Sequence, residues 1–236
     1  MPEDLTGDAI LRTAEAHLDE PYILGARAPM GNAKWKGPWD CAEFVSWCVF
    51  QTTGILFGTQ PRSDPVLADA FTGFWFDQAR AASATIPIET AVGIVGAILL
   101  RAPAPQAIGH IAFSDGTGGT VEAFNKNRGV IRSKAGGRRW DVGVLVPGVS
   151  YFQSDTPVLI EPPPAQVLRV TQPLMRGPLV RKVQRALADA GFNPGKVDGV
   201  YGPQVAHAVR DFQSTRDLVA DGEVGPATLK ALKIKA

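Results

Sequence analysis

Two residues of this chain have the chemistry of a nucleophile and of a base, each in a setting that suits the role. Cys41 follows Gly37-Pro38-Trp39-Asp40 and leads into Ala42-Glu43-Phe44-Val45-Ser46-Trp47, where Phe44, Val45, Cys48 and Val49 recur at helical spacing. Asp40 is the expected N-cap, which puts Cys41 in the first helical turn. Unpaired N–H groups and aligned peptide dipoles favour negative charge there, so the thiol is expected to ionise more readily than a free cysteine. His110 stands 69 residues further on, in Ile108-Gly109-His110-Ile111-Ala112-Phe113-Ser114. That stretch reads as a strand, and Asp115-Gly116-Thr117-Gly118-Gly119 turns it into a second one, Thr120-Val121-Glu122-Ala123-Phe124.

A hairpin centred near residue 116 would set Glu122 opposite His110. Directly opposed side chains have Cβ atoms about 4.5–5.5 Å apart, close enough for a carboxylate to accept from a ring N–H. In this reading Glu122 takes the Nδ1 proton, fixes the tautomer and leaves Nε2 towards the thiol. Val121, Ala123, Ile111 and Phe113 form the apolar underside. A one-residue bulge would break the register, and Asn125 is then the alternative orienter. Taken singly, these residues have ordinary fates: a buried inert thiol, a structural strand histidine, a surface acid. Together, their order, spacing and settings point to a Cys-His-acid site.

The elements that must carry these residues are a helix beginning at Cys41 and an antiparallel sheet holding His110. The run from Ala91 to Leu100 suits a buried strand of that sheet and is too short to span a bilayer. Composition shifts near residue 148, where Pro157 and Glu161-Pro162-Pro163-Pro164 suggest an extended, semi-rigid connector. Beyond it, Asp198-Gly199-Val200-Tyr201-Gly202-Pro203 recurs 23 residues later as Asp221-Gly222-Glu223-Val224-Gly225-Pro226. Each Gly-Pro, Gly177-Pro178 included, opens a helical pattern, and proline fits the first helical position because its missing N–H would be unpaired anyway. Stripes of Val180, Val183 and Leu187, of Val205, Val209 and Phe212, and of Leu229 and Leu232 predict a compact three-helix module. The organisation expected is residues 1–148 as a first domain, 149–169 as a Pro-rich linker and 170–236 as a second domain.

Pro21-Tyr22-Ile23-Leu24-Gly25, Asp40 to Trp47 and Gly109-His110-Ile111-Ala112 together resemble the NlpC/P60 and CHAP superfamily of papain-like cysteine peptidases and amidases, over residues 8–147. The resemblance implies an α+β papain-like catalytic domain, with N-terminal helices on an antiparallel sheet, and catalytic roles for Cys41, His110 and Glu122. Tyr22 matches a tyrosine near the nucleophile in that superfamily. Tyr22, Asp40 and Asn125 are the expected substrate-binding positions. Ala42 and Glu43 stand where many members carry Ser-Gly, which leaves the chemistry intact but puts the usual stem-peptide specificity in question. Residues 171–233 resemble the peptidoglycan-binding-domain-1 family, on Arg181 to Leu187, Asp198 to Pro203 and Ala208 to Gln213. Tyr201 and Arg210 are candidate ligand contacts there, and the partner implied is bacterial peptidoglycan.

Charge is unevenly spread. Residues 170–236 carry ten Lys/Arg against six Asp/Glu, hence +4, and the rest carry 14 against 17, hence −3. A mildly basic module suits an anionic polymer but lacks the dense cations and interleaved aromatics of a nucleic-acid surface. Arg128, Arg132, Lys134, Arg138 and Arg139 read as a solvated basic loop, with contact to substrate carboxylates as the alternative. Cys41 and Cys48 lie about 10 Å apart along one helix, too far for a disulfide. No Cys/His spacing suits zinc, and His17 and His207 read as surface residues on helices, so neither metal nor cofactor is expected. Met1 to Leu5 show no basic segment or hydrophobic run, so action on the wall after lysis or specialised secretion is expected. A monomer is expected.

The function expected is a peptidoglycan hydrolase cleaving an amide of the stem peptide or the muramoyl-L-alanine bond. Two other classes stand beside it. One is a wall-binding or scaffold protein with a silent catalytic domain. The other is an acyltransferase or deamidase using the same dyad, against which the order Cys before His speaks.

Overall fold

The computed structural model describes residues 5–104, 108–152 and 167–235. Most of the expected linker, residues 153–166, lies outside the described residues. The described chain falls into two compact units, one of residues 5–102 and 110–152 and one of residues 167–235 together with 103–104 and 108–109.

The first unit begins with helix α1 (Gly7–Glu15), capped by the Thr6 side chain on Ala9 N at 3.1 Å. Helix α2 (Cys41–Thr53) follows, ended by Gly54 at φ +72°, a left-handed turn that glycine adopts without Cβ strain. Strands β1 (Thr59–Gln60) and β2 (Asp69–Ala70) pair as a small ribbon, and helix α3 (Thr72–Ala81) comes next. Then come β3 (Thr85–Ile86), the short helix α4 (Ile88–Ala91), β4 (Val95–Arg101), β5 (His110–Asp115), β6 (Gly119–Asn125), β7 (Gly129–Lys134) and β8 (Val142–Val144). They form an antiparallel sheet in the order β3-β8-β4-β5-β6-β7.

Both faces of this sheet are buried, which is why β4 reads as a continuous apolar run and not an alternation. Ile98, Leu100, Ile111, Phe113, Val121 and Ala123 pack under α1 and α2, with Phe44 edge-on to Phe113 at 6.1 Å. Ala97, Leu99 and Ala112 face the other way, towards Ala91 and Trp140. The expected strand at 91–100 therefore starts later than its apolar composition suggested, because α4 takes its first residue. At Gly96 the φ is +75° and an added Cβ would stand 1.9 Å from the Gly7 carbonyl oxygen, so the start of α1 can lie on β4 only if this residue is glycine.

His17 is not the helical surface residue expected from sequence. It follows α1, packs edge-on between Trp39 and Trp47 at 5.3 and 4.9 Å, and its Nδ1 lies 2.9 Å from Glu20 Oε2. Apolar neighbours cover its ring while Glu20 satisfies its nitrogen. His207 is exposed, as expected, beside Asp211.

The second unit holds helices α5 (Pro178–Asp189), α6 (Pro203–Ser214) and α7 (Pro226–Ala231), each opened by the predicted Gly-Pro. Val180, Val183, Leu187, Val205, Val209, Phe212, Leu229 and Leu232 form its core. The repeated Asp-Gly loops have one device in common. Gln184, buried, donates from Nε2 to Lys196 O, Asp198 Oδ1 and Val200 O and accepts from Gly199 N. Gln213 donates to Asp221 Oδ1, Glu223 O and Thr228 Oγ1 and accepts from Gly222 N. Tyr201, a candidate ligand contact from sequence, is instead fully buried with its hydroxyl on Gly222 O at 3.0 Å. The repeat's aromatic position is a core position.

Candidate active site

Cys41 opens α2 as its sequence context predicts. Asp40 caps the helix, accepting from Ala42 N at 3.0 Å, and its other oxygen accepts from Gly25 N at 2.9 Å, which ties the 22–26 loop to the nucleophile. The Cys41 and Cys48 thiols are both free. The expected easy ionisation of Cys41 is not what the surroundings give. Burial pushes its thiol well up, and Asp40 adds to this; Arg101 and the Ala42 N–H oppose without prevailing. The favourable helix start is present, but desolvation wins.

His110 and Glu122 meet, through a different register and a different nitrogen from those expected. β5 and β6 pair Phe113 with Val121 and Ser114 with Thr120, two residues away from a hairpin centred at 116. Carried along the ladder, this register puts Phe124 opposite His110, and their rings stand 6.5 Å apart. Glu122 is thus the diagonal neighbour of His110. A slip of two keeps every side chain on its own face, so the residue was found although its pairing was not. The bond runs from His110 Nε2 to Glu122 Oε2 at 2.5 Å, not from Nδ1. Nδ1 is then the nitrogen left for exchange with another group.

Glu122 is fully buried and held by more than the histidine. Arg138 grips both oxygens, Nη1 to Oε1 at 2.7 Å and Nη2 to Oε2 at 2.9 Å, and Thr120 Oγ1 donates to Oε1 at 2.5 Å. The Arg138 guanidinium lies over the Trp140 ring at 4.7 Å, and Trp140 donates from Nε1 to Ala135 O, folding the turn after β7 back over the site. Trp140 also flanks the His110 ring at 5.9 Å. Burial alone would raise Glu122, but Arg138 and the His110 hydrogen bond hold it well below the usual carboxylate range. Burial lowers His110 from its ordinary value against the pull of Glu122, and Arg138 and Arg101 add to the lowering. The resting pair is a neutral imidazole on an ionised carboxylate.

Arg138 is the residue that sequence reasoning missed. In the sequence it belongs to a basic run with the look of a solvated loop. In the structure that run is divided among partners: Arg138 on Glu122, Arg139 on Asp141 at 2.5 Å and Arg132 on Glu15 at 2.7 Å. Arg128 lies over the Phe124 ring. A buried acid two positions from a strand threonine is a weak signal for a guanidinium partner, and the loop that delivers it is visible only in three dimensions.

Arg101, buried at the end of β4, is the strand partner of His110, and its charge reaches both His110 and the Cys41 thiol. No hydrogen bond joins Cys41 to His110 among the described residues. Tyr22, half-buried, bridges Trp39 and is held far above its ordinary value by burial, with Cys41 and Asp40 adding to this. Asn125 is not drawn to His110: its Oδ1 accepts from Asn127 N and Arg128 N and shapes the β6–β7 turn. Glu43 is buried between the loop at Ala28 and strand β2, accepting from Ala28 N at 3.2 Å and Ala70 N at 3.0 Å. Burial and a hydrogen bond with the Asp69 carboxyl push it up to about 8. Among the described residues there is no cluster of metal-ligating groups and no helix long and apolar enough to cross a membrane.

Residues 176–232 match the family described as "Putative peptidoglycan binding domain". The chain is similar to the N-acetylmuramoyl-L-alanine amidases CwlL of Bacillus licheniformis, 44% identical over 78 residues, and XlyB of Bacillus subtilis, 49% over 65. These matches cover 30% and 25% of this chain, which spans 22% and 20% of the two amidases. Among solved structures it is similar to the NlpC/P60 domain of the peptidoglycan hydrolase SagA, with 21% identity, 60% of this chain, 99% of that one and a TM-score of 0.41. It is also similar to the peptidoglycan hydrolase RipB of Mycobacterium tuberculosis, at 18% identity, 61% of this chain, 65% of that one and a TM-score of 0.41.

Proposed function

We propose that this protein is a peptidoglycan hydrolase in which Cys41 is the nucleophile and His110 the acid–base, oriented by Glu122, with the second unit targeting it to the wall. The observation that carries the reading is the buried His110–Glu122 pair clamped by Arg138, because a purely structural histidine has no need of an ionised, four-bonded carboxylate behind it. The bond cleaved is an amide of the stem peptide or the muramoyl-L-alanine amide. The similarity of residues 176–232 to a peptidoglycan-binding family supports the wall as substrate.

With Nε2 engaged by Glu122, Nδ1 is the nitrogen that works with the thiol. The Cys41 proton passes to Nδ1 as Sγ attacks the amide carbonyl, since a thiol raised by burial and a lowered imidazole favour the neutral pair until substrate arrives. Catalytic hydrogen bonds of this kind commonly close only around substrate. The backbone N–H groups at the start of α2 suit the developing oxyanion. Nδ1–H then protonates the leaving amine. His110 next draws a proton from water, which attacks the thioester and releases the carboxylic acid with Cys41 reprotonated. Tyr22 and Asp40 border the nucleophile and are the proposed substrate contacts; Asn125 keeps only a secondary place.

Digestion of purified sacculi with mass analysis of the fragments tests this. Release of peptides bearing a new amine is expected, and Cys41→Ala should release none. A free L-alanine amine with intact glycan marks the muramoyl bond, and any other new amine marks a stem cleavage. Activity retained in Cys41→Ala would exclude the mechanism. Truncation before residue 157 should spare soluble muropeptide cleavage and weaken digestion of sacculi, because tethering raises the local substrate concentration.

A further inference from the structure

The second unit carries a concentration of exposed cations on one side of α5. Arg176, Arg181, Lys182 and Arg185, with Asp198, line a cavity of about 480 Å³ at the start of α5. An adjoining cavity of about 400 Å³ shares Lys182 and Arg185 and adds Lys233, Lys235 and Asp189 to the lining. Through these shared residues the two shallow depressions make one track, lined by six cations against two carboxylates. All six cations are exposed.

This arrangement costs the fold stability. Arg181 closes the first turn of α5 and Lys182 follows it, near the end of the helix where the dipole disfavours cations, and no acidic residue stands in that turn. Arg181 and Arg185 are like charges four apart on one face, which is also unfavourable. A bound anion relieves both. The Asp198 carboxylate is exposed, but its Oδ1 accepts from Gln184 Nε2 and from Val200 N; Arg181 donates from Nη2 to the Asp198 backbone carbonyl at 3.1 Å, which holds its guanidinium at the track.

We propose that this track binds the phosphodiester groups of a linear anionic polymer carried by the wall, with a polyol or sugar backbone. The proposal rests on the wall-targeting reading of the second unit and goes beyond it, since peptidoglycan itself offers no phosphodiester chain. A single carboxylate needs one guanidinium fork, whereas cations spaced through two joined cavities match a ligand with repeated charges. The lining residues include no aromatic ring. Single-stranded nucleic acids draw much of their binding from stacking on such rings, so a polymer without bases fits better.

The full chain, with Cys41→Ala to spare the substrate, is sedimented with walls bearing poly(glycerol phosphate) and with the same walls stripped by cold hydrofluoric acid. Binding to intact walls should be about tenfold or more tighter than to stripped walls and should fall steeply with salt, as phosphate contacts do. Soluble poly(glycerol phosphate) should compete, and poly(dT) at equal phosphate should compete less. Arg181→Gln/Lys182→Gln/Arg185→Gln should bind intact walls no better than the parent binds stripped ones. Lys196→Gln/Arg216→Gln/Lys230→Gln, equal in charge but off the track, should bind like the parent. Equal binding to both walls overturns the proposal while wall targeting stands, and binding to neither overturns both. Equal loss in the two triple variants, or equal competition by poly(dT), reduces the track to general basicity and overturns it.

Discussion

Each unit buries a side chain held by four hydrogen bonds, and the two are built for different ends. In the first, the Glu122 carboxylate takes two bonds from Arg138, one from Thr120 and one from His110. In the second, the Gln184 and Gln213 amides each make three donations and one acceptance within an Asp-Gly loop. The amide networks are closed: every bond goes to backbone or to a side chain within or beside the same loop, and each is centred on an amide that carries no proton to exchange. They staple loop to helix. The carboxylate network is charged and open at one point, because the fourth bond reaches a histidine whose other nitrogen remains for proton exchange. Burial of a polar group thus does not signal function by itself. The sign is a fixed charge adjoining a group that can change its own.

The largest effect should follow from removing the open end. His110→Ala should reduce hydrolysis by about 10²–10⁴-fold, the usual worth of a positioned acid–base, in a soluble-muropeptide assay. Glu122→Gln should lose less, since an amide still orients the ring. If the two variants are equally impaired, Glu122 does more than orient; if Glu122→Gln and Glu122→Ala are both fully active, it has no place in the site. Because His110 is lowered, the acid limb of the wild-type pH–rate profile should fall below about 6.5.

Arg138→Met tests the charged network as a unit. It leaves a buried carboxylate without its counter-ion, so unfolding free energy in urea should drop by about 3–5 kcal/mol, the scale for breaking a buried pair. It should also raise His110, both by removing a cation and by freeing Glu122 to interact with the ring alone, moving the acid limb upward. Arg138→Lys should restore little, because an ammonium cannot fork to two oxygens. An unchanged pH profile with lowered stability would make Arg138 structural only.

Gln213→Leu removes the acceptor of the Gly222 N–H and one donor to the Asp221 carboxylate. A loss of about 1–3 kcal/mol is expected for the second unit, with soluble-substrate cleavage untouched. Loss of that cleavage would break the contrast between a structural and a chemical network.

The smallest effect concerns Glu43. Its folded value, about 8, lies above the ordinary value of 4.5, so the proton it holds favours the folded state at low pH. That contribution is complete below about 4.5 and is lost as pH rises towards 8. Stability should fall across this window, by no more than a few kcal/mol, and Glu43→Gln should flatten the fall. A pH dependence identical in the variant would assign the effect to other carboxyls.

Much of this protein was legible in the order of its residues, for reasons local to them. Pro178, Pro203 and Pro226 open helices because proline's fixed φ and missing N–H suit the first helical position, and Asp40 starts α2 because its short side chain can reach Ala42 N. His110 and Glu122 could be placed on one face because strand periodicity survives an even slip in register. What escaped depends on distance through space. The nitrogen that Glu122 binds follows from the diagonal pairing, and the Cys41 thiol is raised by a burial that no local motif records. Tyr201 and His17 owe their burial to neighbours far along the chain. Arg138 comes to Glu122 because Trp140 folds its turn back over the sheet. The sequence by itself determined which residues could do chemistry and the elements that carry them, since those rest on periodicity and capping. The tertiary structure decided which charges are buried together, because desolvation and pairing exist only once distant segments meet.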